Sequence, residues 1–268
     1  MTSFAPVFIS HGSPALLLGQ SAARQFLADW GADLPRPRAI LSISAHFETD
    51  RPVVVTDPEP EMIYDFYGFP RPLYEIVYPA PGDKDLAEQI ALHLHEVGLK
   101  PAITEKRGYD HGTWVPLVVS HPKADIPVVQ LSIQPDLDPA HHYRLGQALA
   151  GLKDEGILIF ATGSITHNLR EMVREVPEEA GTNGVFPWVA EFADWIADKV
   201  AAGDVDALLD YRAKAPHGVR NHPTDEHLLP LFVALGAAGE GARGKLLHES
   251  GQHGALRMDA YAFEKSAA

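Results

Sequence analysis

Cysteine is absent from this chain of 268 residues. That excludes disulfides, thiolate metal sites and cysteine nucleophiles, so any metal has to be held by His, Asp or Glu. Positive charge is scarce: 22 Lys plus Arg stand against 36 Asp plus Glu, a formal net charge of −14. With no basic run to offset it, this balance argues against nucleic acid and anionic membrane surfaces as partners. No apolar segment approaches the ~18–20 residues that a membrane span requires. Met1-Thr-Ser-Phe-Ala5 lacks a basic region followed by an apolar stretch, so no signal peptide is expected and a cytoplasmic location is the default. Phosphate-binding Gly-x-x-x-x-Gly-Lys-Ser/Thr and dinucleotide-binding Gly-x-Gly-x-x-Gly loops are missing. Gly12-Ser13 and Gly163-Ser164 run on into Pro14-Ala15 and Ile165-Thr166, which is not the Gly-x-Ser-x-Gly nucleophile elbow.

What the chain does have is 46% hydrophobic residues, enough for a full core. Val7–Ser10, Ala39–Ala45, Pro127–Ile133 and Ile157–Thr162 read as short apolar strands. Helices are expected near Ala22–Trp30, capped by Ser21, and over Asp83–Val97, with Leu86, Ile90 and Leu94 at four-residue spacing and Gly98 as the stop. Further helices are expected over Pro139–Leu152, Pro187–Ala202, Val205–Tyr211 and Asp225–Leu235, the last capped by Thr224. The tail Ala255–Phe263 alternates like a strand. No repeat, linker or low-complexity tract interrupts the series. The expectation is a single α/β domain over residues 1–268, with a central, mostly parallel or mixed sheet flanked by helices. The Pro-, Tyr- and Phe-rich stretch from Pro58 to Pro81 breaks regular structure and can wall a pocket for a planar ligand.

The chemistry points to histidine, of which there are 14. His93, His95, His121, His141, His142 and His248 lie in polar or helical contexts and read as ordinary surface or packing residues. His11, His46 and His167 instead follow apolar strands, and in α/β folds the carboxyl ends of strands open onto the ligand crevice. Imidazole is the commonest protein metal ligand. His11 and His46 occupy matching strand-end positions, which makes them the stronger ligand pair. In Asn221-His-Pro-Thr-Asp-Glu-His227, any of His222, Glu226 and His227 can complete a three-ligand site. His111, in Asp110-His-Gly-Thr-Trp114, and His167, in Gly163-Ser-Ile-Thr-His-Asn168, are candidates for acid–base work. Arg51, Arg71 and Arg220 are candidates to bind a carboxylate.

Five segments, Phe8-Ile-Ser-His-Gly-Ser-Pro14, Ser44-Ala-His-Phe-Glu48, Gly108-Tyr-Asp-His-Gly-Thr-Trp-Val-Pro116, Gly163-Ser-Ile-Thr-His-Asn-Leu169 and Asn221-His-Pro-Thr-Asp-Glu-His-Leu-Leu-Pro-Leu231, together resemble the class III extradiol ring-cleaving dioxygenases, in particular their 4,5-DOPA extradiol dioxygenase branch. The resemblance runs in order from near the N-terminus to about Gly239. It implies one divalent metal ion, Fe(II) for turnover with Zn(II) as an alternative occupant, and a small aromatic diol plus O2 as substrates. It implies His11 and His46 as the first two ligands. The third is a glutamate in the wider class and a histidine in this branch; that role is carried to His222, with Glu226 and His227 as the other choices. His167 matches the active-site base, and a fourth ligand when substrate is absent. His111 matches a second active-site histidine. Competing readings are a zinc-dependent hydrolase and a non-catalytic metal-binding protein of the same fold. Oligomeric state is not legible.

Overall fold

The computed structural model describes residues 2–175 and 183–265. In chain order its first half runs through β1 (Val7–Ser10), α1 (Ala22–Asp33), β2 (Ala39–Ser44), β3 (Val53–Val55), α2 (Lys84–Glu96), β4 (Ala102–Thr104), α3 (His111–Ser120), β5 (Val128–Gln130), α4 (Pro139–Ala148) and β6 (Ile157–Gly163). There follow α5 (Pro187–Ala202), α6 (Val205–Leu209), α7 (Tyr211–Lys214), α8 (Gly218–Asn221), α9 (Leu229–Ala238), β7 (Ala242–His248), β8 (Gly251–Gln252), β9 (Leu256–Arg257) and β10 (Ala260–Lys265).

A six-stranded sheet in the order β5-β2-β6-β1-β10-β7 forms the centre. β5, β2, β6 and β1 run parallel, and β10 and β7 add an antiparallel edge. β1, β2 and β6 are buried at every position, the expected state of parallel strands covered on both faces. The strand period of two divides their side chains between two cores. Leu41, Ile43, Ile159 and Ala161 face α9 and its neighbours, while Ile40, Leu158 and Phe160 pack with Leu27, Trp114 and Leu117 on the other side. α9 is buried along its whole length. No helix among the described residues is long and apolar enough to cross a membrane.

Local signals fix several boundaries. Ser21 accepts the Arg24 N–H at the start of α1, and Asp83 accepts the Leu86 N–H at the start of α2. Two expectations are corrected. The helix placed over Asp225–Leu235 begins at Leu229, because Pro223–Leu228 forms turns and Thr224 caps nothing. The tail is two strands, β9 and β10, separated at Met258-Asp259. β7 lies outside every strand read from the sequence.

The register brings the strand ends together. Ser10 pairs with Gly163, and Ser44 with Thr162, so β2, β6 and β1 stop at one level as neighbours. His11, His46 and the Ser164–His167 loop leave from that common edge.

Candidate active site

His11 is seated by its backbone N–H, which donates to the Gly163 carbonyl at 3.0 Å. His46 is seated through Ser44, whose hydroxyl accepts the His46 N–H at 3.1 Å and donates to Asp110 Oδ1 at 2.6 Å. Asp110 caps α3 by accepting the Thr113 N–H at 3.1 Å, and Arg107 Nη2 donates to Asp110 Oδ2 at 2.8 Å and to the His46 carbonyl at 3.3 Å. The start of α3 is thereby locked to the end of β2, and His111, its first residue, faces His46 with ring centroids 4.0 Å apart. Gly112 permits this approach, since a Cβ there would collide with Ser44 Oγ. His227 arrives from the turn before α9, and Gly163 makes room for it: a Cβ on Gly163 would strike the His227 carbonyl.

The result is a cluster of five imidazoles. One donor atom from each of His11, His46 and His227 lies within 4.8 Å of the others. The Nε2 atoms of His11 and His46 face each other at 3.2 Å. His227 turns Nδ1 to Glu226 Oε1 at 3.0 Å, leaving Nε2 as its free nitrogen. The His167 ring stacks on His227 at 3.4 Å between centroids, and its Nδ1 lies 3.7 Å from the same Glu226 oxygen. Asp65 closes the other side: its Oδ1 accepts both the backbone N–H and Nδ1–H of His111, at 3.0 and 2.9 Å.

Burial sets the protonation states. It pushes His11 and His227 well below the usual histidine range, and neighbouring imidazoles add to the effect. His46 falls to about 4, by burial and His111, against the opposing pull of Asp110 and Asp65. His167 also falls to about 4 by burial, partly offset by Glu226. These imidazoles are therefore neutral near pH 7, the form in which histidine binds metal and accepts protons. Asp65 behaves oppositely. Burial opposes its charge, yet the His111 hydrogen bonds outweigh burial and hold the carboxyl down at about 2.

Three neutral imidazole nitrogens converging with no Lys or Arg among them fit a divalent cation. The donor set departs from the assignment carried to His222. That ring is fully buried between Phe192 and Tyr211, and its Nε2–H donates to the Ile165 carbonyl at 2.8 Å. It takes part in none of the potential ligand clusters among the described residues. Its place beside His11 and His46 is taken by His227, while Glu226 lies behind His227 and His167.

Comparison with known proteins fits this geometry. Residues 7–263 match the family model described as the catalytic LigB subunit of aromatic ring-opening dioxygenase. The chain belongs to the LigB family. As a LigB-family protein it is 45% identical over 264 residues to the 4,5-DOPA dioxygenase extradiol of Beta vulgaris, covering 96% of this chain and 95% of that one. It is 37% identical over 241 residues to the protein of the same name from Escherichia coli K12, covering 88% and 86%. A crystal structure of an uncharacterized protein from Escherichia coli K12 superposes with a TM-score of 0.80 at 30% identity, covering 96% of this chain and 98% of that one. The LigB family consists of ring-cleaving dioxygenases, and this chain is such an enzyme.

In this LigB-family member the histidine cluster lines a cavity of about 440 Å³. The aromatic stretch does wall it, through Phe66, Tyr67 and Phe69, and Met172 and Leu256 add apolar lining. No Lys or Arg lines it among the described residues. Arg51, Arg71 and Arg220 are instead paired with Asp50, Glu75 and Glu171. Asp65 carries no distinguishing signal in the sequence, being one of four acids, with Glu59, Glu61 and Glu75, in the aromatic stretch. Asp110, Arg107 and Ser44 escaped the sequence reading because their roles consist of hydrogen bonds between separate elements.

Proposed function

We propose that this protein cleaves a catechol with O2 by extradiol ring opening, at a divalent metal held by His11, His46 and His227. The observation that carries the reading is the convergence of three neutral imidazoles at the floor of a cavity walled by Phe66 and Phe69. The relatives named 4,5-DOPA dioxygenase extradiol favour DOPA or a related catecholic acid. A metal bound there supplies a common anchor for the diol and O2 and a path for electrons between them, which iron(II) provides and redox-inert zinc does not.

The residues around it manage the ring and its protons. Phe66, Phe69, Met172 and Leu256 give a flat ring apolar walls that exclude water. His167, neutral and pushed down to about 4, accepts the proton of a catechol hydroxyl at Nε2. Glu226, 3.7 Å from its Nδ1, then stabilises the imidazolium. Asp65 accepts the His111 Nδ1–H, which leaves Nε2 as the nitrogen free to meet substrate. Before substrate arrives, His167 would be at hand as a fourth ligand, since one of its ring nitrogens lies within 4.8 Å of a His227 nitrogen.

Anaerobic loading with Fe(II), followed by O2 and a panel of catechols, should give the yellow absorbance of a ring-opened semialdehyde. Full iron occupancy without product from any catechol would reject the reading. The all-imidazole donor set equally suits zinc, so a hydrolase is the second reading; hydrolysis restored by zinc but not by iron would favour it.

A further inference from the structure

Arg257 is 2% exposed and Asp259 is fully buried. Neither lines the active-site cavity. Arg257 Nε and Nη2 meet Asp259 Oδ1 and Oδ2 at 2.9 and 3.0 Å, a bidentate fork across a single intervening residue. Asp194 and Glu249 add longer contacts, both at 3.2 Å. Burying such a pair is expensive, and well-packed apolar side chains commonly give equal or better stability. Stability alone is therefore a weak reason for its presence.

The backbones of the two residues supply a stronger one. The Asp259 carbonyl accepts the Ser10 N–H at 3.2 Å and the Ser10 hydroxyl at 2.8 Å. Ser10 Oγ in turn accepts the Ile165 N–H at 3.2 Å. The Arg257 N–H donates to Thr166 Oγ1 at 2.8 Å, and that hydroxyl donates to the Ala255 carbonyl at 2.9 Å. Ser10 immediately precedes His11, and Thr166 immediately precedes His167. The ion pair thus clamps the bend between β9 and β10, and the two ends of that bend hold the residues next to a proposed ligand and the proposed base.

We propose that the Arg257–Asp259 pair is a positioning device that sets His11 and His167 relative to one another. Its kinetic consequence rests on the ring-cleavage reading, and its effect on metal geometry rests only on the metal site of that reading. The fork needs a planar guanidinium, which a lysine ammonium cannot reproduce. In Arg257→Lys the bend loses its fixed shape while the charge stays. Ser10→Ala cuts the hydroxyl link between Asp259 and Ile165 without touching the ion pair.

The test loads purified protein with cobalt(II) and records its visible d–d spectrum, then measures kcat and KM on a catechol after iron loading. Both variants are expected to show an altered cobalt spectrum, with kcat about tenfold lower or more and KM little changed, the size typical of disturbed support around metal ligands. Phe232→Leu, a core change in α9 chosen to lower the melting temperature comparably, should leave the cobalt spectrum as in the parent. Folded Arg257→Lys and Ser10→Ala proteins with the parent's cobalt spectrum and kcat would overturn the proposal. If Arg257→Lys does not fold, Ser10→Ala decides. If no catechol is turned over even by the parent, the cobalt spectrum still decides.

Discussion

Asp65 Oδ1 receives two hydrogen bonds from one residue, the backbone N–H of His111 at 3.0 Å and its ring Nδ1–H at 2.9 Å. The pairing fixes both the tautomer and the orientation of His111, so that Nε2 faces the cavity. Asp65→Ala should keep the fold and the bound metal but lower kcat by about 10–100-fold, the usual consequence of losing the partner that orients a functional histidine. The check is steady-state kinetics beside metal analysis of the same samples; unchanged kcat at full occupancy would refute the role. The pairing also carries a pH signature. The Asp65 carboxyl is held at about 2, below its unfolded value of about 3.9. Its contribution to stability is therefore complete above about pH 4 and disappears as the pH falls toward 2.

The choice between His227 and His222 is open to direct measurement. His227→Ala removes a donor that lies within 4.8 Å of those of His11 and His46, and should weaken metal binding by more than about 100-fold, beyond the range seen for supporting residues. His222→Gln should bind metal like the parent, because His222 Nε2 is engaged by the Ile165 carbonyl at 2.8 Å and the residue joins no potential ligand cluster among the described residues. Its cost should appear in thermal stability and in kcat, since Ile165 belongs to the loop that ends at His167. Isothermal titration of both variants with zinc separates the outcomes; loss of metal in His222→Gln alone would reverse the assignment.

The central half of the fold was legible in the sequence. β1, β2 and β6 are apolar runs, and buried parallel strands have that signature whatever they pair with. His11 and His46 were legible for the same reason: each directly follows such a run. His227 was not. Its neighbours read as the first turn of a helix, whereas Pro223–Leu228 forms turns that bring His227 against the end of β6. Nothing local records that approach except the absent side chain of Gly163. β7 was hidden by its edge position. Ala242–His248 carries Arg243, Gly244 and Lys245 and is largely half-buried or exposed, so it lacks the apolar signature of the strands it extends.

Glycine at positions 112 and 163 should matter as much as the ligands. A Cβ at Gly112 would press on Ser44 Oγ and the His46 ring, and one at Gly163 on the His227 carbonyl. Gly112→Ala and Gly163→Ala each leave every proposed ligand in the chain yet press on one of them. Both are expected to lose activity by about 100-fold or more, because displacements of about 1 Å in a catalytic constellation have that effect. Gly163→Ala should in addition bind zinc more weakly. Wild-type kcat in either soluble variant would show that the close approach is dispensable.

His142 gives the protein a pH-dependent stability that does not pass through the active site. Its ring is fully buried; Nδ1–H donates to the Asp138 carbonyl at 2.9 Å, and Nε2 accepts the Gln134 N–H at 3.1 Å. Burial lowers its pKa from 6.5 to about 4, with the Asp138 carbonyl opposing. Protonation would put a second ring N–H against the Gln134 N–H. The unfolded chain binds a proton near pH 6.5 and the native protein only near 4, so stability is complete above 6.5 and declines as the pH falls between these values. At about 1.4 kcal/mol per unit, the decline attributable to this residue reaches about 3 kcal/mol and then levels off. Replacing His142 with Gln should lower stability at neutral pH but flatten the curve in that window by close to one proton. Urea unfolding of both proteins from pH 7 to 4, in the same metal-free buffer, measures the difference; parallel curves would mean that His142 titrates in the native state as it does in the unfolded chain.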